Sequence, residues 1–257
     1  SLKDPRALLK EAKRIFPSAD VARQRGVDVR SATVDNLYHS GLITRTAGHT
    51  LKEGRKYHHE LTTRGAVGLA HAVRFALEAD TTKPLLLLED DCVFTDVVAL
   101  RRDVDVLLQH IDEFDLAVFG ASVFRSHPTD ASQVNFLPDN WKHLDQGFFY
   151  TCHCVLYSPR GRARVADHLR THPLDMQIDG LYSSLATFGE LDVLLQLHAH
   201  SATQRLHTSS VQNVGTHCIL CELTNRDAWI VTIATICAVL VVTLRMVGKL
   251  RRSIGSL

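Results

Sequence analysis

Pro84-Leu85-Leu86-Leu87-Leu88-Glu89-Asp90-Asp91-Cys92-Val93-Phe94 is the stretch that decides how this chain is read. A short, continuous apolar run behind a proline has the pattern of a strand buried on both faces. Three carboxylates at its end cannot stay in an apolar interior, because burying an ionised carboxylate without a partner is very costly. They must meet a cleft, a cation or water. In open α/β sheets ligands bind at the carboxyl ends of strands. An all-oxygen donor set suits a hard cation such as Mg²⁺ or Mn²⁺. The competing reading is a solvated loop after an ordinary strand.

The flanking sequence supplies alternating helices and strands. Asp4 and Pro5 give an N-cap and a first-turn proline for a helix to about Phe16. Residues 26–30 read as a short strand, and 52–60 as a charged, exposed stretch. Thr62 or Thr63 caps the next helix, with Val67, Ala70, Val73, Phe75, Ala76 and Leu77 on its apolar face. After the leucine strand, 97–110 reads as a helix with Val98, Leu100, Val104, Leu107 and Leu108 inward. Residues 115–120 form a second apolar strand, 121–147 are loop-like, and 148–157 form a third strand. Ser158 and Pro159 open a helix to about Leu169; another covers 179–188 and stops at Gly189; 191–197 is the last strand. Strands alternating with helices predict βαβ units and a mostly parallel sheet flanked by helices. No Gly-rich dinucleotide fingerprint and no Walker A loop is present.

The chain has 257 residues, 45% hydrophobic and 22% charged, enough for one substantial core. Its net charge of +1 argues against a nucleic-acid partner. It begins at Ser1 without a Met, so a preceding segment is expected. Residues 228–244, AWIVTIATICAVLVVTL, carry no charge. As a helix they span about 26 Å, close to a hydrocarbon core of about 30 Å. Trp229 marks one edge, and Lys249, Arg251 and Arg252 follow the other. The charge bias predicts a single-pass membrane protein with a cytosolic C-terminus and a lumenal or extracytoplasmic main domain. The expected organisation is therefore a catalytic domain over 1–222, and a transmembrane helix with a basic tail over 223–257. Of six cysteines, Cys218 and Cys221 with His217 form a weak zinc signal, since a second pair is missing. In a lumenal domain some of the cysteines would be disulfide-linked.

Four stretches resemble glycosyltransferase family 25, the group of the lipooligosaccharide and collagen galactosyltransferases. They are Thr63-Arg-Gly-Ala-Val-Gly-Leu-Ala-His71, Leu86-Leu-Leu-Glu-Asp-Asp-Cys-Val93, Phe114-Asp-Leu-Ala-Val-Phe-Gly120 and Tyr150-Thr-Cys-His-Cys-Val-Leu-Tyr-Ser-Pro159. The likeness covers roughly 15–215, and the acidic motif 18 residues after His71 is its most specific part. The chain departs from the family in three ways. The family's first strand is missing, Ala70 replaces a Ser, and Arg162 stands where a small residue is usual.

The resemblance implies a GT-A-like fold with a UDP-sugar donor, a Mn²⁺ (or Mg²⁺) cofactor and transfer of a hexose, galactose by analogy, to an acceptor hydroxyl with inversion. Glu89, Asp90 and Asp91 match its metal motif. Asp91 is the first choice as direct ligand, because alternation along a strand points Glu89 and Asp91 one way and Asp90 the other. Inversion needs a base for the acceptor proton. Pro173-Leu174-Asp175 matches the family's acid at this point, and Asp179 is its rival one helical turn on. Asp175 could instead cap the next helix. Gly65, Gly68, His71 and Gln212 are candidate substrate-binding residues. Gly65 and Gly68 also fit close packing, and His71 also fits a structural role. Trp141 and Tyr150 could flank the acceptor, a glycan or protein hydroxyl, or belong to the core. A non-catalytic carbohydrate- or partner-binding membrane protein on the same fold is the alternative.

Overall fold

The computed structural model describes residues 5–204 apart from 30, 56, 58, 62, 124–129 and 198–200. The chain opens with α1 (Pro5–Ile15), α2 (Val34–His39), α3 (Arg45–Glu53) and α4 (Arg64–Glu78). Then come β1 (Leu85–Leu88), β2 (Cys92–Phe94), α5 (Val97–Gln109), β3 (Leu116–Val118) and β4 (Ser122–Val123). The second half holds β5 (Asp130–Gln133), β6 (Trp141–Gln146), β7 (Phe149–Tyr150), β8 (Cys154–Tyr157), α6 (Pro159–Thr171), α7 (Ile178–Thr187), β9 (Val193–Gln196) and β10 (Ala202–Gln204).

The caps form as the sequence dictates. Thr63 accepts from the Ala66 amide at 3.3 Å, and Ser158 accepts from the Gly161 amide at 3.0 Å with Pro159 in the first turn. Each side-chain oxygen satisfies an amide that the helix start leaves without an internal partner. Gly189 ends α7 with φ +72°, a left-handed geometry that glycine adopts at little cost.

The main sheet has strand order β1-β8-β3-β9-β6-β5. It is mixed rather than mostly parallel: β3–β9 is its one parallel pair among the described residues, and the other pairings are antiparallel. The reversal comes from 121–157, expected to be a loop and one strand. That segment instead holds β5 and β6, and a strand split in two at Thr151. Residues 26–29 are not a strand. Leu85–Leu88 does form a strand, but half-buried and, among the described residues, at the sheet edge with a neighbour on one side only.

Helices flank the sheet on both faces. Leu116, Val118, Val155, Val193 and Leu195 point into one apolar cluster with α4, α6 and α7; Ala117, Leu156 and Leu194 point into another with α5. This alternation follows from the two-residue period of a strand. Phe75, Val98 and Leu108 were expected inward but lie exposed. Trp141 is fully enclosed, and its Nε1 donates to Asp103 Oδ2 at 2.9 Å, so it is core and does not flank an acceptor. Arg162 is also buried. Its guanidinium donates to Ala76 O and Leu77 O at the end of α4 and to Lys83 O ahead of β1. A long cation at this position thus closes the carbonyls that the end of α4 leaves open.

Among the described residues no helix is long and apolar enough to cross a membrane. The expectation of a single-pass membrane protein with a lumenal domain is corrected on that finding. The segment 228–244 on which it rested lies outside the described residues, as do Gln212, His217, Cys218 and Cys221. Cys92, Cys152 and Cys154 are buried free thiols.

Candidate active site

The acidic motif leaves the carboxyl end of β1 and turns at once. Glu89 N donates to His153 O at 2.9 Å, and Cys92 N donates to Glu89 O at 3.0 Å, closing a tight turn over 89–92. Asp90 is exposed at its tip, while Glu89 and Asp91 are half-buried. Burial thus alternates along the motif within a turn rather than a strand.

Across the turn, the chain between β7 and β8 bends at Thr151, which has φ +77°. A β-branched residue seldom adopts this geometry. Surrounding bonds hold it there: Thr151 Oγ1 donates to Gly120 O at 3.2 Å, and its N–H points at Asp179 Oδ2 at 3.4 Å. Gly120 ends β3 with φ +68°, where a Cβ would stand 2.1 Å from Ala202 O, so only glycine fits. Asp179 lies in the first turn of α7, and its Oδ1 accepts from the Gly180 amide at 2.8 Å. A carboxylate in a first turn is also favoured by the helix dipole.

Charge effects tie these groups into one unit. Glu89 and Asp179 keep some residue surface, but their carboxyl groups sit deep among protein atoms. Burial, then the charges of Asp91, Asp179 and Asp90, push the Glu89 carboxyl up to about 8. Burial also raises Asp179, against the pull of the Gly180 and Thr151 amides and the Arg55 charge. Burial lowers the Arg55 guanidinium, while Asp179, Glu60 and Tyr150 hold it up. Tyr150 is raised by burial and then by Asp179. The Cys152 thiol is raised well above its ordinary value by burial, then by Asp179 and Glu89. Among the described residues the site is thus a set of interacting carboxyl groups with a half-buried cation, Arg55, acting on Asp179.

Of the two rival acids, the structure brings Asp179 to the acidic motif. Asp175 lies elsewhere: it is exposed and accepts from Thr44 Oγ1, the hydroxyl that caps α3. The charges acting on Glu89 include Asp179 but not Asp175. Gly68 is a packing position, since a Cβ there would meet Val27 O at 2.3 Å. Gly65 lies in the first turn of α4. His71 is buried in the middle of α4, its imidazole pKa lowered by burial and then by Arg74. Neither Gly68 nor His71 joins the acid cluster. Tyr150 does, through its coupling to Asp179 and Arg55.

Arg55, Thr151 and Cys152 were not foreseen as site residues. Arg55 sits in a segment that reads as solvent-exposed charge. Thr151 and Cys152 sit in what reads as an uninterrupted strand. Only a fold that brings 55, 89, 151 and 179 together marks them.

The donor set is oxygen-rich, and carboxyl groups that repel one another favour a cation between them. No three of the described His, Cys, Asp and Glu side chains already stand together as a cage for a metal ion. One or two carboxylates completed by substrate phosphates is the usual Mg²⁺ arrangement, so the donors present fit that mode rather than an all-protein cage.

No protein-family model matches the chain, and no curated protein matches it. Among solved structures the chain is similar to apo UDP-glucose pyrophosphorylase, with 12% identity and a TM-score of 0.37 over 53% of this chain and 54% of that one. The chain thus spans about half the length of that neighbour. A likeness this weak bears on neither mechanism nor substrate.

Proposed function

We propose that the protein is a metal-dependent glycosyltransferase, of the kind family 25 represents, that moves a hexose from a UDP-sugar to an acceptor hydroxyl with inversion. The observation that carries the reading is the convergence of Glu89, Asp90 and Asp91 with Asp179, where burial and then the charges of Asp91, Asp179 and Asp90 lift Glu89 to about 8. Carboxyl groups shifted by burial and mutual repulsion mark a functional-site candidate, and a counter-charge beyond Arg55 would relieve that repulsion. A divalent cation bound with a diphosphate provides that charge.

Asp91, with Glu89, would hold Mn²⁺ or Mg²⁺, and the ion would supply charge neutralisation for a departing diphosphate. The remaining chemistry belongs to the chain. Asp179 is the acid outside the metal motif that lies close to it. Burial moves its carboxyl toward neutral pH, the direction that suits a general base. The Gly180 and Thr151 amides fix its orientation. Arg55 beside it keeps the ionised form accessible. Asp175 is set aside as the base because it accepts from Thr44 at the start of α3.

The test is a hydrolysis and transfer assay over a panel of UDP-hexoses, with Mn²⁺, Mg²⁺ or EDTA, using wild type and Asp179→Asn. Metal-dependent release of UDP that Asp179→Asn lowers is the expected result. Binding of a sugar or glycan without turnover of any donor would favour a non-catalytic carbohydrate-binding protein on this fold.

A further inference from the structure

Two thiols stand directly behind the acidic turn. Cys92 is the first residue of β2 and Cys154 the first of β8, and both are free and buried. The register brings them to one place. Cys154 lies opposite Leu88, the last residue of β1, and the adjoining Glu89 amide is bonded to His153 O. The turn then folds back through the bond from Cys92 N to Glu89 O. Both thiols enter the same apolar cluster as Leu88 and Leu156, whereas Cys152 enters the cluster on the opposite face of the sheet. Within that cluster the two thiols act on one another electrostatically.

We propose that Cys92 and Cys154 are a redox modification site: under oxidation they form a disulfide that staples the acidic turn to the central sheet. β2 pairs with β10 in a separate two-stranded ribbon, so without the link residues 89–91 bridge two sheets through a single turn. With it, both ends of that turn are fixed to β8. The oxidant is a peroxide. The sulfur of Cys92, the less enclosed of the two, attacks a peroxide oxygen as its thiolate; the O–O bond breaks, leaving a sulfenic acid and hydroxide. Cys154 sulfur then attacks the sulfenic sulfur, the S–S bond forms, and the hydroxyl departs as water with the Cys154 proton. Two thiols lose two electrons, and hydrogen peroxide is reduced to two waters. Enclosure of Cys154 raises its thiol pKa and makes the second step slow, so the link forms over minutes to hours rather than at once.

The experiment treats the folded full chain with hydrogen peroxide, blocks remaining thiols by alkylation under denaturing conditions, and maps peptides by mass spectrometry. The expected product is a cross-linked peptide pair joining Cys92 to Cys154, absent after dithiothreitol and retained in Cys152→Ala. The oxidised protein should melt about 5–10 °C higher, reverting on reduction, since the link closes a long loop in the unfolded chain. Alkylation of both Cys92 and Cys154 after peroxide treatment would overturn the proposal, as would a cross-link joining Cys152 to either. The wild-type peptide map decides the matter without relying on any variant to fold, and it is independent of whether the site transfers sugar.

Discussion

Glu89→Gln should stabilise the metal-free protein at alkaline pH. The Glu89 carboxyl rises from 4.5 to about 8 on folding, first through burial and then through Asp91, Asp179 and Asp90. Because the folded state holds this proton more tightly than the unfolded chain, ionising Glu89 works against the fold. The penalty is absent below the unfolded value of 4.5, grows as pH rises, and is complete above about 8. A shift of this size corresponds to an upper bound of about 5 kcal/mol at 1.36 kcal/mol per unit. Water entry and side-chain relaxation reduce such penalties, so a gain of about 1–3 kcal/mol is expected for Gln at pH 8.5. Urea denaturation in EDTA, wild type against Glu89→Gln from pH 4 to 9, measures it. The two curves should converge near pH 4 and separate steadily above pH 5. Saturating Mn²⁺ with UDP should stabilise wild type more than the variant, since the ligand relieves a repulsion that the variant lacks. A variant less stable than wild type at pH 8.5, or a difference that does not vary with pH, would refute the view that these carboxyl groups crowd one another.

Asp179→Asn should lower turnover by about 10²–10⁴ with donor affinity nearly unchanged, while Asp175→Asn stays within a few-fold of wild type, as read from steady-state kinetics. Equal sensitivity at Asp175 would return the base to the α3 edge. Asp91→Asn should abolish Mn²⁺-dependent donor binding in calorimetry with a wild-type circular dichroism spectrum; undiminished binding removes it from the metal site. Gly161→Ala should be severely destabilising, by roughly 3 kcal/mol or more, because a Cβ there would lie 1.9 Å from Asp115 O in the strand backbone; a thermal melt within 2 °C of wild type, about the effect of a 1 kcal/mol change, contradicts that contact.

The local devices of this fold are written in the chain. Thr63, Ser158 with Pro159, and Gly189 set helix ends through groups adjacent in sequence, so their effect needs no distant partner. The leucine run and the acids behind it likewise mark a strand and the end that carries the site. Sheet order does not have this property. Whether β8 lies antiparallel between β1 and β3, and whether β6 joins β9, depends on pairings between segments tens of residues apart, and a short half-buried strand such as Trp141–Gln146 has no strong apolar signature of its own. The same distinction separates the two candidate bases. Asp175 and Asp179 look alike in the sequence, four residues apart beside one helix start. Only the packed structure sends one to the hydroxyl of Thr44 and the other to the charges of Glu89 and Arg55. A carboxylate's chemistry is set by the dielectric and the charges around it, and for Asp179 those come from burial, then the Thr151 amide and Arg55, which only folding brings within reach.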